Sequence, residues 1–230
     1  MGVVAILLAS GGSRRFGAAD KLTAPLLGQA LIEHAMAAVR ASRIRHVAVV
    51  VPPPAASSTS QGGGPDLAGM VMAFAGDDLD VFQIENADHA NGLSTSLRAG
   101  LAGLAKTRFA APGMGAAVLP ADMPLMTPEV LNRLVDVFEG REAAHVVVPK
   151  DASGQQRNPV IWPFRFWERL IAIRGDRGGK ALLAELCEED VAEVVFEDET
   201  LFFDVDTQPD LTHAEQLLKR RVEGAGPRGD

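Results

Sequence analysis

The chain has 230 residues, 47% of them hydrophobic and 23% charged, values that suit a packed globular protein and not a disordered one. Formal net charge is −8, which argues against a general nucleic-acid binder, because a polyanion needs an electropositive surface. The single cysteine, Cys187, excludes an intrachain disulfide framework and a thiolate metal cluster. It is expected as a small core residue.

The first expected element is a strand over residues 3–9, a continuous apolar run such as a strand buried on both sheet faces carries. This opening lacks a basic leader region and is too short to span a bilayer, so a soluble cytoplasmic protein with no membrane partner is expected. A glycine-rich loop follows, and then Leu31, Ile32, Ala35, Met36 and Val39 fall on one helical face. Residues 46–51, "HVAVVV", read as the next buried strand. Strand, loop, helix and strand make a right-handed crossover, the start of an α/β fold.

Residues 52–65, "PPPAASSTSQGGGP", read as a flexible surface loop. A short helix over 67–74 and a strand over 81–84 follow, then a helix from about Ser94 with a serine or threonine as its cap. "AAVLPADMP" is a strand running into an acidic turn. "TPEVLNRLVDVF" has Thr127 as N-cap, Pro128 at the first position, and Val130, Leu131, Leu134, Val135 and Phe138 on its inner face.

"HVVVP" and "NPVIW" read as strands, 164–172 and 179–186 as helices, "AEVVFED" and "LFFDVD" as late strands, and 209–221 as a closing helix. The acidic run over 188–199 is expected as a solvated face, and Trp162 and Trp167 as packing residues. The five histidines show no metal-site spacing. The expectation is one alternating α/β domain over 1–222, a loose tail over 223–230, and a ligand at the carboxyl ends of the strands.

The opening loop "ASGGSRRFGAADKL" raises the chemical question. It fits neither a P-loop nor the dinucleotide-binding glycine spacing. It does place Ser10, Gly11, Gly12 and Ser13 at a strand end, where backbone N–H groups can approach an anion. Arg15 could then meet phosphates as a fork and Lys21 as a point charge. Asp122 follows an apolar strand, and "DVDT" carries Asp204 and Asp206 with alternation placing both on one strand face. Two separated carboxylates suit Mg²⁺, which keeps water and phosphate oxygens as its other ligands. Turn or helix capping is the competing reading for these aspartates.

The stretch from Leu7 to Ala35 resembles the nucleotidyltransferase superfamily signature, with Leu8, Gly11, Ser13, Arg15, Phe16, Gly17, Lys21 and Leu22 in register. "NGLSTSLRAGLAGL", "LPADMPLMTP", "NPVIW", "GDRGGKALL" and "FDVDTQPDL" are similar, in order, to segments of the molybdenum cofactor cytidylyltransferases. Departures are Ser10 for an alanine, Pro120–Ala121 for leucine-glycine, and Gln156–Arg157 for arginine-glycine.

The resemblance implies a three-layer α/β/α Rossmann-like nucleotidyltransferase fold with a mostly parallel mixed sheet. It implies transfer of CMP from CTP to the terminal phosphate of molybdenum-loaded molybdopterin, with Mg²⁺ or Mn²⁺ as cofactor. An apo-molybdoenzyme or its chaperone would be a further partner. The roles it implies are catalysis for Arg15, Lys21 and Asp122, and metal binding for Asp122 and Asp206. Nucleotide contacts fall to Leu8, Ala9, Ser10, Gly11, Gly12, Ser13, Arg15, Lys21, Gly92, Ser94 and Ser96. Acceptor contacts fall to Arg157, Asn158 and Asp176. The alternatives are a related transferase using GTP or another phosphorylated acceptor, a non-catalytic cofactor carrier, and an oxidoreductase.

Overall fold

A computed structural model describes residues 1–10, 16, 20–53, 67–75, 78–173 and 178–224. Nine strands are present among them: β1 (Gly2–Leu8), β2 (Pro25–Leu26), β3 (Gln29–Ala30), β4 (His46–Val51), β5 (Asp80–Glu85), β6 (Met114–Pro120), β7 (Val146–Asp151), β8 (Val160–Pro163) and β9 (Val191–Phe196). The helices are α1 (Leu31–Ala41), α2 (Leu67–Ala75), α3 (Leu93–Leu104), α4 (Pro128–Gly140), α5 (Trp167–Ala172), α6 (Gly178–Leu183) and α7 (Gln208–Gly224).

Seven strands form one sheet in the order β5-β4-β1-β6-β8-β7-β9. Only β8 runs against its neighbours, β6 and β7; the other pairs are parallel. The apolar run of β1 has a simple cause. Val3, Ala5 and Leu7 face one core with α1 and α4, while Val4, Ile6 and Leu8 face a second core with α3, α5 and α6. Covered on both sides, the strand has no solvent face to keep polar. The result is the expected α/β/α three-layer architecture.

Chain order sets where the ligand site must fall. From β1 the chain moves outward to β4 and β5, then returns through α3 to β6 on the other side of β1. The direction of winding reverses between β1 and β6, and the crevice between their carboxyl ends is where open α/β sheets bind ligands. Ala9 N–H bonds Val50 O at 2.9 Å and Ala121 N–H bonds Leu8 O at 3.1 Å, so Ser10 and Asp122 leave the sheet side by side.

Several expectations are corrected. "LFFDVD" is not a strand: 199–202 is a 3-10 turn, and the following residues carry no ladder. The segment crosses the strand ends, and its link to the sheet region is Val205 N–H to Asp122 O at 3.0 Å. The cap of α3 is Gly92, at φ 96°, with no side-chain cap bond. Its left-handed backbone suits glycine, and Thr95 instead donates its hydroxyl to Gly92 O and Asp88 O. Cys187 is exposed, just before a short 3-10 turn, with its thiol directed to Asp190 at 3.2 Å. Edge strand β9 lies within the acidic run, where "AEVVFED" is expected as a strand: Ala192, Val194 and Phe196 are buried, while Glu193 and Glu197 stay exposed.

Helix α7 continues to Gly224, into the segment expected as tail. The hairpin of β2 and β3 was not foreseen; its loop puts Leu27 at φ 51° and Gly28 at φ 83°. Thr127 does cap α4, accepting from Val130 N–H, with Pro128 next. Trp162 and Trp167 are both buried, and Trp167 donates its indole N–H to Trp162 O at 3.0 Å.

Candidate active site

Lys21 opens a 3-10 turn, residues 21–23, fixed at both ends. Asp20 accepts from Leu22 N–H at 3.0 Å, Ala24 N–H bonds Lys21 O at 3.1 Å, and the Leu22 side chain is buried. Held this way, Lys21 sends its ammonium across the strand ends. Nζ donates to Asp122 Oδ2 at 2.6 Å, to Val205 O at 2.9 Å and to Asp206 Oδ1 at 3.2 Å. Lysine, strand-end aspartate and the aspartate of the crossing segment thus meet at the switch point, although 101 and 185 positions separate them from Lys21.

Burial governs the electrostatics here. It pushes the Asp122 carboxyl above its ordinary range, against the opposing pull of the Lys21 ammonium, and the nearby Asp204 charge pushes the same way as burial. For Lys21, burial works to lower the pKa, but the Asp122 and Asp206 carboxylates outweigh it and hold the ammonium above its usual value. Asp122 Oδ1 is buried with no hydrogen-bond partner among the described residues. A buried acceptor left unsatisfied is costly, and a cation is one partner that would satisfy it.

The capping alternative for Asp206 is answered locally. Thr207 and Asp210 form the box at the start of α7: Asp210 Oδ2 accepts from Thr207 N–H at 2.8 Å, and Thr207 Oγ1 accepts from Asp210 N–H at 3.3 Å. The Asp206 side chain is thereby available to Lys21.

Beside this cluster lies a cavity of about 760 Å³, bordered by Leu8, Ser94, Met123 and Asp204 near the strand ends and by Arg157 and Trp162 farther along. Asn158, cis to Pro159, also lines it. Ser10 and Ser96 lie deeper, each nearly or wholly buried. Their hydroxyls are 2.6 Å apart, and Asn86 Nδ2 donates to both and to Thr95 Oγ1 at 3.0–3.2 Å. This network ties the end of β1 to the start of α3.

Lys21, Asp122 and Asp206 are therefore together, Ser94, Arg157 and Asn158 share the cavity, and Asp204 borders it. Leu8 and Ala9 are buried at the end of β1, and Gly92 stands at the N-terminus of α3. Gly11, Gly12, Ser13, Arg15 and Asp176 lie outside the described residues. Asn86, Asp151 and Asp210 were missed in the sequence. Each is an ordinary polar residue until folding surrounds it: Asp151 and Asp210 each accept from two backbone N–H groups, and Asn86 donates to three hydroxyls.

Among the described residues no helix is long and apolar enough to cross a membrane. Sequence comparison with curated proteins gives no significant match. Rv0371c from Mycobacterium tuberculosis H37Rv has a similar structure, with TM-score 0.70 and 22% identity over 94% of this chain and 99% of that one. The same protein in complex with manganese gives TM-score 0.66 and 20% identity, over 94% and 99%. Molybdopterin-guanine dinucleotide biosynthesis protein A from Archaeoglobus fulgidus gives TM-score 0.61 and 21% identity, again over 94% and 99%. These likenesses establish the shared fold. A family model described as the MobA-like NTP transferase domain matches residues 5–191. With that match covering most of the sheet, the chain belongs to the MobA-like NTP transferase family and is a nucleotidyltransferase.

Proposed function

We propose that the chain, acting as one domain over 1–222, transfers CMP from CTP to the terminal phosphate of molybdenum-loaded molybdopterin. The products would be pyrophosphate and molybdopterin cytosine dinucleotide, the latter destined for an apo-molybdoenzyme or its chaperone. The observation that carries this reading is the meeting of Lys21, Asp122 and Asp206 at the switch point, next to a cavity large enough for a second substrate. The residues of the resemblance supply the choice of CTP and of the acceptor.

The acceptor's phosphate oxygen attacks the α-phosphorus of CTP, a new P–O bond forms, and the bond to pyrophosphate breaks. The acceptor already carries an anionic oxygen, so no protein nucleophile is needed. The chain's work is positioning and charge stabilisation. In this reading the loop over 8–15 and the segment over 92–96 hold the nucleotide, with Arg15 on its phosphates. Lys21 supplies positive charge where charge grows on the departing pyrophosphate. Its contact to Asp206, at 3.2 Å the longest of the three, is the one a phosphate oxygen would displace. Arg157, Asn158 and Asp176 serve the acceptor.

The donor set fits a hard divalent cation: Asp122 Oδ1 is a buried acceptor with no partner among the described residues, and Asp206, or Asp204 in its place, is the second carboxylate. Mg²⁺ or Mn²⁺ there would act, when bound, as a Lewis acid on phosphate oxygens. The manganese complex of Rv0371c supports a cation of this class.

The test is pyrophosphate release with each of the four ribonucleoside triphosphates, with and without molybdenum-loaded molybdopterin. Release with CTP only, and only with acceptor present, is the expected result. Comparable release with GTP, the nucleotide suggested by the name of the Archaeoglobus protein, would overturn the cytidylyl assignment. No release with any nucleotide would favour a carrier.

A further inference from the structure

A second buried carboxylate stands outside the Lys21 cluster. Asp151 ends β7, and its side chain is 1% exposed. Its Oδ1 accepts from Ser153 N–H at 2.9 Å, Ser153 Oγ–H at 2.6 Å and Gln155 N–H at 3.0 Å. Its Oδ2 accepts from Arg157 Nε at 2.8 Å and forms an ion pair with Arg157 Nη2 at 2.7 Å. The Ser153 hydroxyl bond, then Arg157 and Gln155, outweigh burial and hold the carboxyl at about 2. The loop closes on itself as well: Asp151 N–H bonds Gln155 O, Gly154 N–H bonds Asp151 O, and Arg157 N–H bonds Pro149 O at 2.8 Å.

The consequence falls on Arg157. The Nε–Nη2 edge of its guanidinium is held against a fixed carboxylate by one hydrogen bond and one ion pair, which restrains the plane of the group. Nη1 makes no hydrogen bond or ion pair among the described residues, and the side chain, 29% exposed, lines the cavity. A guanidinium oriented in advance loses little entropy when it binds, and its free edge matches two oxygens of a phosphate. The cavity wall includes apolar Leu97, Val160, Trp162 and Leu183, so the site pairs an oriented cation with a surface for an apolar body.

We propose that Arg157 is the anion anchor of the acceptor half of the site, taking a phosphomonoester borne on a largely apolar body, and that Asp151 is its positioning residue. This rests on the reading of the cavity as the acceptor side of a nucleotidyltransferase. Asp151 touches no substrate. It sets the angle and the rigidity of the group that does.

The experiment is calorimetric titration of the full chain with phenyl phosphate, and with phenol as its uncharged counterpart. Wild type is expected to bind phenyl phosphate at least about tenfold tighter than phenol, the worth of one charge-assisted hydrogen bond. Arg157→Ala removes the preference. Asp151→Asn lowers phenyl phosphate affinity about tenfold in the wild type and has no further effect in the Arg157→Ala background. Affinity for CTP with Mn²⁺ stays within about twofold in all variants.

Equal phenyl phosphate binding by wild type and Arg157→Ala overturns the anchor, as does the absence of phosphate-dependent binding in wild type. Parallel loss of CTP and phenyl phosphate affinity in Asp151→Asn reduces Asp151 to a purely structural role. Should Asp151→Asn fail to fold, the Arg157→Ala comparison still decides the anchor. Failure here leaves the nucleotide panel unaffected, because that assay reads pyrophosphate and not anion binding.

Discussion

At Lys21 Nζ, contacts of 2.6 Å to Asp122 and 3.2 Å to Asp206 join two negative groups through one cation. Removing either end has unequal consequences. Asp122→Asn deletes a buried negative charge but leaves Lys21 with Val205 O and Asp206. Turnover should fall about a hundredfold or more, as for loss of a preorganised charge-stabilising group, with little change in the unfolding midpoint. Lys21→Ala leaves Asp122, only 19% exposed, without its counter-charge. It should therefore lower stability, on the order of 2 kcal/mol, less than for a fully buried pair because both side chains keep some solvent. It should also reduce kcat more than it raises the KM for CTP. Steady-state kinetics and urea unfolding on both variants check the order. Normal turnover in Asp122→Asn would remove that residue from the chemistry.

The elements that carry the cluster depend on close packing behind it. β6 delivers Asp122, and α4 lies against β6 on the face opposite α3. Gly115 makes that approach possible: a Cβ there would stand 2.5 Å from Phe138 Cζ, at the C-terminal end of α4's buried face. Phe138 is fully buried, so it can move aside only by disturbing the core around it. Gly115→Ala should then cost about 1–3 kcal/mol through overpacking, read as a lower denaturation midpoint with an unchanged m-value. No change in midpoint would mean that α4 can shift freely on the sheet. The β2–β3 hairpin is the opposite case, an element held by its turn geometry. With positive φ at Leu27 and Gly28, the two-residue loop matches the strand twist, and it feeds the chain from Lys21 into α1.

For the whole molecule, the proposed site gathers Lys21, Asp122 and Asp206 in one crevice, so ligand binding there should be felt in global stability. CTP with Mn²⁺ should raise the thermal midpoint together more than either does alone, by about 2.7 kcal/mol of stability at a hundredfold excess over Kd. Excess chelator should return the CTP-only value, and Asp122→Asn should lose the metal-dependent part. A variant that keeps the full metal increment would place the cation elsewhere.

How much of this was legible in the chain varies with how local the cause is. The buried strands β1, β4 and β6 could be read from continuous apolar runs, and α4 from Thr127, Pro128 and its apolar spacing, because periodicity and capping act over a few residues. The hairpin at Leu27 was not legible, since its loop lacks the Asn-Gly or Asp-Gly pattern that announces such turns. The path of "LFFDVD" could not be read either: its alternation suits a strand, but among the described residues no strand pairs with the segment where it crosses. The sequence by itself determined the α/β layering and, through the motif residues, the candidate side chains. Only the tertiary structure decided that Lys21 pairs with Asp122 and Asp206, that Thr207 and Asp210 take over the capping, and that Asp151 fixes Arg157. The reason is physical: these are contacts of single polar atoms across long sequence separations, and no local periodicity encodes them.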